Sequence, residues 1–154
     1  MTRTLLQVWR TFPMWIHVLA MRMYRPKFRA AVAAMIFDDQ GCVLLFKHTY
    51  RKFEWGLPAG GLEYNEQPEQ AIVREFFEET SMQIEVERLL LAESSSEDRN
   101  ISLIFLCKIV SGVFKESSEI SEIKYFNVND LPRMLFAEKN LIHLVANKLK
   151  EAVA

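Results

Sequence analysis

Three glutamates near the middle of the chain have the spacing of a set of metal ligands. Glu75, Glu78 and Glu79 stand at i, i+3 and i+4, so a helix would place all three on one face. Their mutual repulsion is unfavourable, and each such term costs roughly 0.3–1 kcal/mol near the negative end of a helix. A bound divalent cation would reverse that cost, because carboxylate oxygens are ligands for hard ions such as Mg²⁺. A solvated acidic face is the alternative interpretation.

The surrounding residues predict the elements that would position these carboxylates. A helix is predicted from Pro68 to Thr80, since proline suits a first helical position and the next residues are good or tolerable helix formers. Arg74 cannot bind a metal, but its planar guanidinium suits an ion pair with Glu66 or with a member of the triplet.

A pair of glycines lies in the loop before this helix. Gly60 and Gly61 carry no side chain, so the loop can approach a metal ion closely. The metal site is therefore predicted to involve the loop and the helix together.

The segment 60–82, GGLEYNEQPEQAIVREFFEETSM, resembles the signature box of the Nudix hydrolases. Gly60, Glu66, Arg74-Glu75, Glu78-Glu79 and the apolar Met82 all fall at the spacing of that box. The preceding run, WGLPAG at 55–60, is also similar to the family's approach to the box. The resemblance in layout extends over roughly residues 30–135, and it implies a Nudix-type fold.

Two positions depart from the family pattern. Ser81 replaces the glycine that would end the helix in the left-handed conformation, at a cost of roughly 1 kcal/mol if the backbone keeps that geometry. The alternative is a slightly shifted helix end. Asn65 replaces a second glycine, and asparagine tolerates a positive φ better than other non-glycine residues. Neither position carries the chemistry.

The resemblance implies an enzyme that cleaves a diphosphate linked to another moiety, by attack of water on phosphorus with Mg²⁺ or Mn²⁺. The expected substrate is a small molecule, a nucleoside diphosphate linked to a second group, such as ADP-ribose or a nucleotide sugar. By the same resemblance, the metal ligands are Glu75, Glu78 and Glu79, with Glu78 either a direct ligand or a group that orients water. The catalytic residues are Glu78, Glu79 and Arg74.

Other functions remain open at this point. A nucleoside triphosphate pyrophosphohydrolase and a catalytically inactive nucleotide-binding module both fit the box. A prenyl diphosphate isomerase of the same fold would need a catalytic cysteine in a polar loop, and neither Cys42 nor Cys107 is so placed.

Residues outside the helix are candidates for substrate binding. The basic and aromatic run 47–55 could meet phosphates through lysine or arginine and stack Tyr50, Phe53 or Trp55 on a base. The plainer interpretation of this run is an exposed loop with one or two aromatics packed beneath it. The predicted substrate-binding residues are Lys47, Arg51, Gly60, Gly61 and Glu63.

A general base is often supplied in this family by a loop acid, and several acids here could fill that role. The candidates are Glu97, Asp98, Glu116, Glu119 and Glu122. Glu119 and Glu122 precede an apolar strand and rank first, although each could equally be a surface charge. The base is left unassigned.

The N-terminal thirty residues differ from the rest of the chain in charge. They contain six basic residues and no acid, whereas the remainder has 13 basic and 20 acidic residues. A domain-wide basic surface is therefore absent, and DNA binding is not expected. Apolar residues recur at helical period in this arm, with Pro13 interrupting them, at Leu5, Trp9, Phe12, Ile16, Leu19 and Met23.

This arm is predicted to pack on the domain or on a second copy in a homodimer, with a peripheral membrane contact as the lesser alternative. The predicted domains are an extension at 1–28 and a hydrolase domain at 29–154, with the box at 60–82.

Alternation of strands and helices predicts an α/β fold, an α/β/α sandwich with a mixed sheet. A hairpin is predicted from two apolar runs, 30–37 and 42–47, and further strands are predicted at 84–92, 101–110 and 121–128. A turn at 129–132 is predicted to lead into a short helix, followed by a final amphipathic helix around 141–149.

The two cysteines lie in apolar strand patterns, which favours buried thiols over a disulfide. The histidines, His17, His48 and His143, are far apart and have no zinc-ligand spacing. Reduced thiols and the lack of an export signal predict the cytoplasm.

Overall fold

A computed structural model describes residues 12–24, 27–95 and 99–153. The helices in these ranges are α1 (Met14–Tyr24), α2 (Pro68–Thr80) and α3 (Phe136–Val153). The strands are β1 (Arg29–Met35), β2 (Val43–His48), β3 (Trp55–Gly56), β4 (Ala59–Gly61), β5 (Gln83–Ser95), β6 (Asn100–Ser111) and β7 (Ile120–Phe126).

The strands form two sheets. One is mixed, in the order β4-β1-β6-β5, with β1 parallel to β6 and the other neighbours antiparallel. The other is antiparallel, in the order β3-β2-β7. The predicted α/β class with a mixed sheet is confirmed, and the strands at 84–92, 101–110 and 121–128 correspond to β5, β6 and β7.

The predicted hairpin is only half correct. Its turn forms, because the Asp38 side chain accepts hydrogen bonds from the Gln40 and Cys42 amides and Gly41 adopts a φ of 76°. Beyond one bridge between Phe37 and Val43, however, β1 and β2 separate into different sheets. Both edges of β1 are already paired, to β4 and β6, so β2 pairs with β3 and β7 instead.

Both faces of β2 are buried, as its uninterrupted apolar run predicts. Leu44 and Phe46 belong to a core that includes Phe76 of α2, whereas Val43 and Leu45 belong to a core that includes residues of α3. The strands therefore lie between two helical layers, which is the predicted sandwich.

Helix α2 has the predicted bounds. Pro68 occupies the first turn, and the Gln67 amide donates to Gln70 Oε1 at 3.2 Å, which pairs one of the amides left free at a helix start. Ala71, Ile72 and Phe76 are fully buried and fix the inner face of the helix. That orientation leaves Glu75 half-buried at the side and Glu78 exposed, whereas Glu79 is buried with the inner face.

The C-terminal region differs from the expectation of a short helix followed by a second one. The turn is present, with the Asp130 amide bonded to the Asn127 carbonyl oxygen, but the chain then runs without helix to Leu135. A single helix of 18 residues, α3, follows. Leu131 and Met134 are buried in the core beneath it, so this connection is packed and not helical.

The described part of the N-terminal arm does not pack on the domain. Helix α1 begins directly after Pro13 and contains no buried residue. More than half of the surface of Met14, Trp15, Leu19, Met23 and Tyr24 is exposed. Packing on the same domain is therefore wrong for α1, and the stripe residues Leu5 and Trp9 lie outside the described residues. No helix in the described ranges is both long enough and apolar enough to cross a membrane.

Candidate active site

Arg74 binds the loop and the helix together. Its Nε and one Nη donate to the two carboxylate oxygens of Glu66 at 2.8 and 3.0 Å. The same guanidinium donates to the Gly61 carbonyl oxygen at 3.0 Å and reaches Glu75 and Glu78 at 3.1 and 3.2 Å. The arginine lowers the pKa of Glu66, chiefly through the side-chain hydrogen bond. The ion pair expected from the arginine's shape is formed, and it orients two members of the triplet.

Gly60 is required by the position of Glu75. A Cβ on Gly60 would lie 2.1 Å from Glu75 Cδ, which is closer than atoms can approach. The Gly61 amide donates to Glu75 Oε1 at 3.2 Å. The glutamate side chain thus lies across the glycine backbone, held by one amide and by Arg74. Gly61 itself has open space where a side chain would be.

Glu79 is the most unusual carboxylate of the three. It is 8% exposed, and its Oε2 has no hydrogen-bond partner. Burial, followed by the negative charges of Glu75 and Glu119, raises the pKa of Glu79 to about 7, while the charge of Arg51 opposes the shift. An ionised carboxylate in this position is costly unless a cation accompanies it.

The donor set fits a divalent ion, although the three carboxylates are held apart. Glu75 is half-buried, Glu78 is exposed and Glu79 is buried, and all are hard oxygen donors of the kind that Mg²⁺ prefers. Within the described residues, no three acidic, histidine or cysteine side chains already stand in a coordinating arrangement. Water and substrate oxygens commonly complete a magnesium site, so a partial protein ligand set is compatible with that ion.

The two departures from the box pattern keep the backbone geometry of glycine. Ser81 ends α2 with φ 61° and ψ 16°, and its amide donates to the Phe77 carbonyl oxygen at 2.7 Å. Asn65 has φ 65°. Of the two possibilities for Ser81, the structure shows the strained helix end and not the shifted one.

The predicted substrate residues of the 47–55 run divide into two groups. Lys47 lies 3.9 Å from Glu54 and 3.8 Å from Glu122, on the surface of the antiparallel sheet. Arg51 lies 3.9 Å from Glu138, and its charge lowers the pKa of Glu79. Glu63 has an exposed side chain, and its amide donates to Glu66 Oε2 at 3.1 Å.

The structure distinguishes the two leading candidates for the base. Glu119 is exposed, and its negative charge raises the pKa of Glu79. Glu122 pairs with Lys47 across β2 and β7. Glu116 is exposed as well. Glu97 and Asp98 lie outside the described residues.

The aromatic residues of the same run are partly packed. Trp55 lies edge-on against Phe126, with ring centroids 4.8 Å apart, whereas Tyr50 is 63% exposed. This agrees with the plainer interpretation of an exposed loop with an aromatic packed beneath it.

Three residues beside Arg51 were not among the sequence candidates. A Cβ on Gly56 would lie 3.0 Å from Glu138 Oε2, 3.1 Å from Arg51 Nη1 and 3.5 Å from His48 Nε2. A glycine within a strand can indicate that other groups approach the backbone closely, so Gly56 could have been recognised from the sequence. Glu138 carried none, because an acid in the first turn of a helix is ordinary.

Comparisons with known proteins identify the family of this chain. A family model described as the NUDIX domain matches residues 27–145. An ADP-ribose pyrophosphatase of Methanocaldococcus jannaschii is 32% identical over 130 residues, covering 79% of this chain and 76% of that protein. A MutT-like protein of Streptomyces ambofaciens is 29% identical and covers 78% and 77%.

Solved structures match the same region. The crystal structure of a UDP-X diphosphatase superposes with a TM-score of 0.70 at 26% identity, over 87% of this chain and 70% of that one. An ADP-ribose pyrophosphatase from Streptococcus suis superposes with a TM-score of 0.70 over 79% and 92%, and at 21% identity it supports the fold alone. With a family model covering more than half of its length, this chain belongs to the Nudix family of hydrolases, which act on diphosphate bonds.

Proposed function

We propose that this protein is a Mg²⁺-dependent hydrolase that cleaves the diphosphate of a nucleoside diphosphate linked to another moiety, such as ADP-ribose or a nucleotide sugar. The observation that carries the proposal is Glu79, a buried carboxylate with an unpartnered oxygen beside two further acids. Nudix hydrolases generally use divalent metal ions, and the similarity to an ADP-ribose pyrophosphatase and a UDP-X diphosphatase supports the substrate class.

The proposed ligands are Glu75, Glu78 and Glu79. When bound, a divalent ion supplies Lewis-acid stabilisation of the charge that develops on the phosphate oxygens. Arg74 acts as a positioning residue, because it fixes Glu75 and Glu78 relative to the loop at Gly61. Glu119 is proposed as the base that accepts a proton from the attacking water, since it is exposed to solvent and adjoins Glu79.

Product analysis tests the proposal. ADP-ribose, UDP-glucose and ATP are incubated with and without Mg²⁺, and with Mn²⁺ as a second metal. We expect metal-dependent formation of AMP and ribose 5-phosphate from ADP-ribose, and of two monophosphates from the nucleotide sugar. Pyrophosphate release from ATP with no cleavage of the conjugates would favour the triphosphate pyrophosphohydrolase. No turnover of any substrate, together with no heat of Mg²⁺ binding at millimolar concentration, would favour an inactive binding module.

Several further predictions remain proposals. The start of the family match at residue 27 supports a boundary between an extension at 1–28 and a hydrolase domain at 29–154. The exposed apolar surface of α1 supports a homodimer formed through the arm, with a peripheral membrane contact as the lesser alternative. The free thiols of Cys42 and Cys107 support the cytoplasm as its compartment.

A further inference from the structure

The buried side-chain atoms that lack a hydrogen-bond partner are gathered around one arginine. Within the described residues these atoms are His48 Nδ1 and Nε2, Glu79 Oε2 and Glu138 Oε2. The charge of Arg51 shifts the pKa of all three residues. Buried polar groups in folded proteins are normally paired, so a local concentration of unpaired ones indicates a missing partner.

Three polar atoms meet at one point over Gly56. The position of a Cβ on this glycine would be 3.0–3.5 Å from Glu138 Oε2, Arg51 Nη1 and His48 Nε2. These residues come from the first turn of α3, the loop after β2 and the end of β2. We call His48, Arg51, Gly56 and Glu138 the Arg51 cluster. The absence of a side chain at Gly56 is what leaves room for the three groups to converge.

The charges of the Arg51 cluster favour a neutral ligand. Arg51 Nη1 lies 3.9 Å from Glu138 Oε1, so the guanidinium is already opposed by a carboxylate. His48 is 1% exposed, and burial followed by the charge of Arg51 lowers its pKa to about 4, which leaves the ring neutral. A phosphate would meet the carboxylate of Glu138, and a metal cation would meet the guanidinium of Arg51.

The hydrogen-bonding character of the Arg51 cluster selects among neutral groups. A carboxylate only accepts and a guanidinium only donates, while a neutral imidazole does one at each nitrogen. A hydroxyl matches this set, because it donates one hydrogen bond and accepts up to two. A carbonyl oxygen could not donate to Glu138.

We propose that the Arg51 cluster binds a sugar hydroxyl of the substrate, with Glu138 as the residue that determines this specificity. The inference rests on the proposed function, because it assigns a place to the sugar part of a nucleotide conjugate. Arg51 pairs with Glu138, and its charge acts on Glu79, so a sugar held here lies within electrostatic range of the carboxylates that act on the diphosphate. A buried water could pair the same atoms, and the experiment must separate the two.

The test measures kcat and KM for three substrates with the wild-type enzyme and with variants of Glu138. ADP-ribose is compared with an analogue built on 2′,3′-dideoxyadenosine, which lacks the nucleoside hydroxyls. The third substrate is ADP esterified to tetrahydrofurfuryl alcohol, which lacks the hydroxyls of the terminal ribose. The two analogues distinguish which of the two sugars the cluster binds.

We expect Glu138→Ala to reduce kcat/KM for ADP-ribose by about tenfold to a hundredfold, the range for a hydrogen bond to a charged group, mainly through KM. One of the two analogues should be a correspondingly poor substrate of the wild-type enzyme, and Glu138→Ala should not reduce its kcat/KM further. Glu138→Gln keeps an acceptor oxygen, so its kcat/KM for ADP-ribose should fall less than that of Glu138→Ala. The ratio between two substrates cancels any general loss of activity in a variant.

The matched control is Glu151→Ala, which replaces an exposed glutamate on the same helix and should leave kcat/KM unchanged for all three substrates. Thermal unfolding of each variant establishes that it is folded. If Glu138→Ala reduces kcat/KM equally for all three substrates, or for none of them, the Arg51 cluster holds water or serves the fold. The inference then fails, while the proposed hydrolase function is unaffected. If the wild-type enzyme cleaves no diphosphate with Mg²⁺, the proposed function fails and the inference falls with it.

Discussion

Two arginines lie beside the carboxylates of α2, and they differ in how completely their surroundings are paired. Arg74 holds both oxygens of Glu66 and contacts Glu75, Glu78 and the Gly61 carbonyl oxygen, all within 3.2 Å. Within the part of the chain that the structure describes, Arg51 has one ion pair, at 3.9 Å, and unpaired buried atoms of His48 and Glu138 lie near it. The groups around Arg74 are fully hydrogen-bonded, and such a network orients its members. The groups around Arg51 still have unpaired donors and acceptors, which suits them to binding a ligand.

The largest effect is expected at Glu79, the triplet member whose pKa responds to Arg51. Glu79→Gln should reduce kcat by about a thousandfold or more, because it removes a proposed metal ligand worth several kcal/mol in the transition state. The metal-free variant should be as stable as the wild type or more so, since a repelling charge is gone. Steady-state kinetics and urea unfolding measure the two effects. Glu69→Gln, an exposed change in the first turn of the same helix, is the control, and undiminished turnover in Glu79→Gln would contradict the assigned role.

The comparison of the two arginines is tested by replacing each with lysine. Arg74→Lys keeps the charge but cannot hold both oxygens of Glu66, so the free energy of unfolding should fall by about 1–3 kcal/mol and kcat by roughly tenfold to a hundredfold. Arg51→Lys should change stability by less than about 1 kcal/mol, as expected for a single ion pair at 3.9 Å. Urea denaturation of both variants is the measurement, and equal losses of stability would remove the distinction.

The pH dependence of the free energy of unfolding tests the raised pKa of Glu79. The pKa of Glu79 is raised from 4.5 to about 7 in the fold, so the folded state holds its proton where the unfolded state has lost it. Stability from this group is therefore fully present below pH 4.5 and is lost as the pH rises through 7, by about 3 kcal/mol in the metal-free protein.

The same measurement needs a correction for neighbouring groups. The pKa of Glu138 is raised by burial and acts in the same direction, whereas the lowered pKa of His48 acts in the opposite direction between pH 6.5 and 4. The difference in unfolding free energy between wild type and Glu79→Gln, followed from pH 4 to 8 without metal, isolates Glu79. A difference that stays constant across this range would show that Glu79 is not perturbed. Mg²⁺ should restore wild-type stability at pH 8 and have little effect on Glu79→Gln.

The local parts of this site could be predicted from the sequence, and the distant parts could not. The bounds of α2 follow from Pro68 and from the helical spacing of its buried residues, which are neighbours in the chain. The hairpin was half wrong because the partners of β1 are β4 and β6, and nothing within residues 30–47 specifies them. Glu138 reaches Gly56 only after α3 has packed on the sheet, so no local pattern reveals it.

The smallest effect concerns the end of α2, which lies outside both arginine networks. Ser81 holds φ 61°, a left-handed conformation that costs a residue with a Cβ about 1 kcal/mol, so Ser81→Gly should stabilise the protein. Part of that gain is offset because glycine is more flexible in the unfolded chain, and a net increase of at most about 0.5 kcal/mol is expected. Asn65 has a φ of 65°, and asparagine tolerates this left-handed conformation, so Asn65→Gly should increase the free energy of unfolding by less. Thermal unfolding measures both changes, and kcat should be unaltered in Ser81→Gly. A change in kcat at unchanged stability would mean that the helix end influences the three glutamates. The site could then not be described by the groups around Arg74 and Arg51 alone.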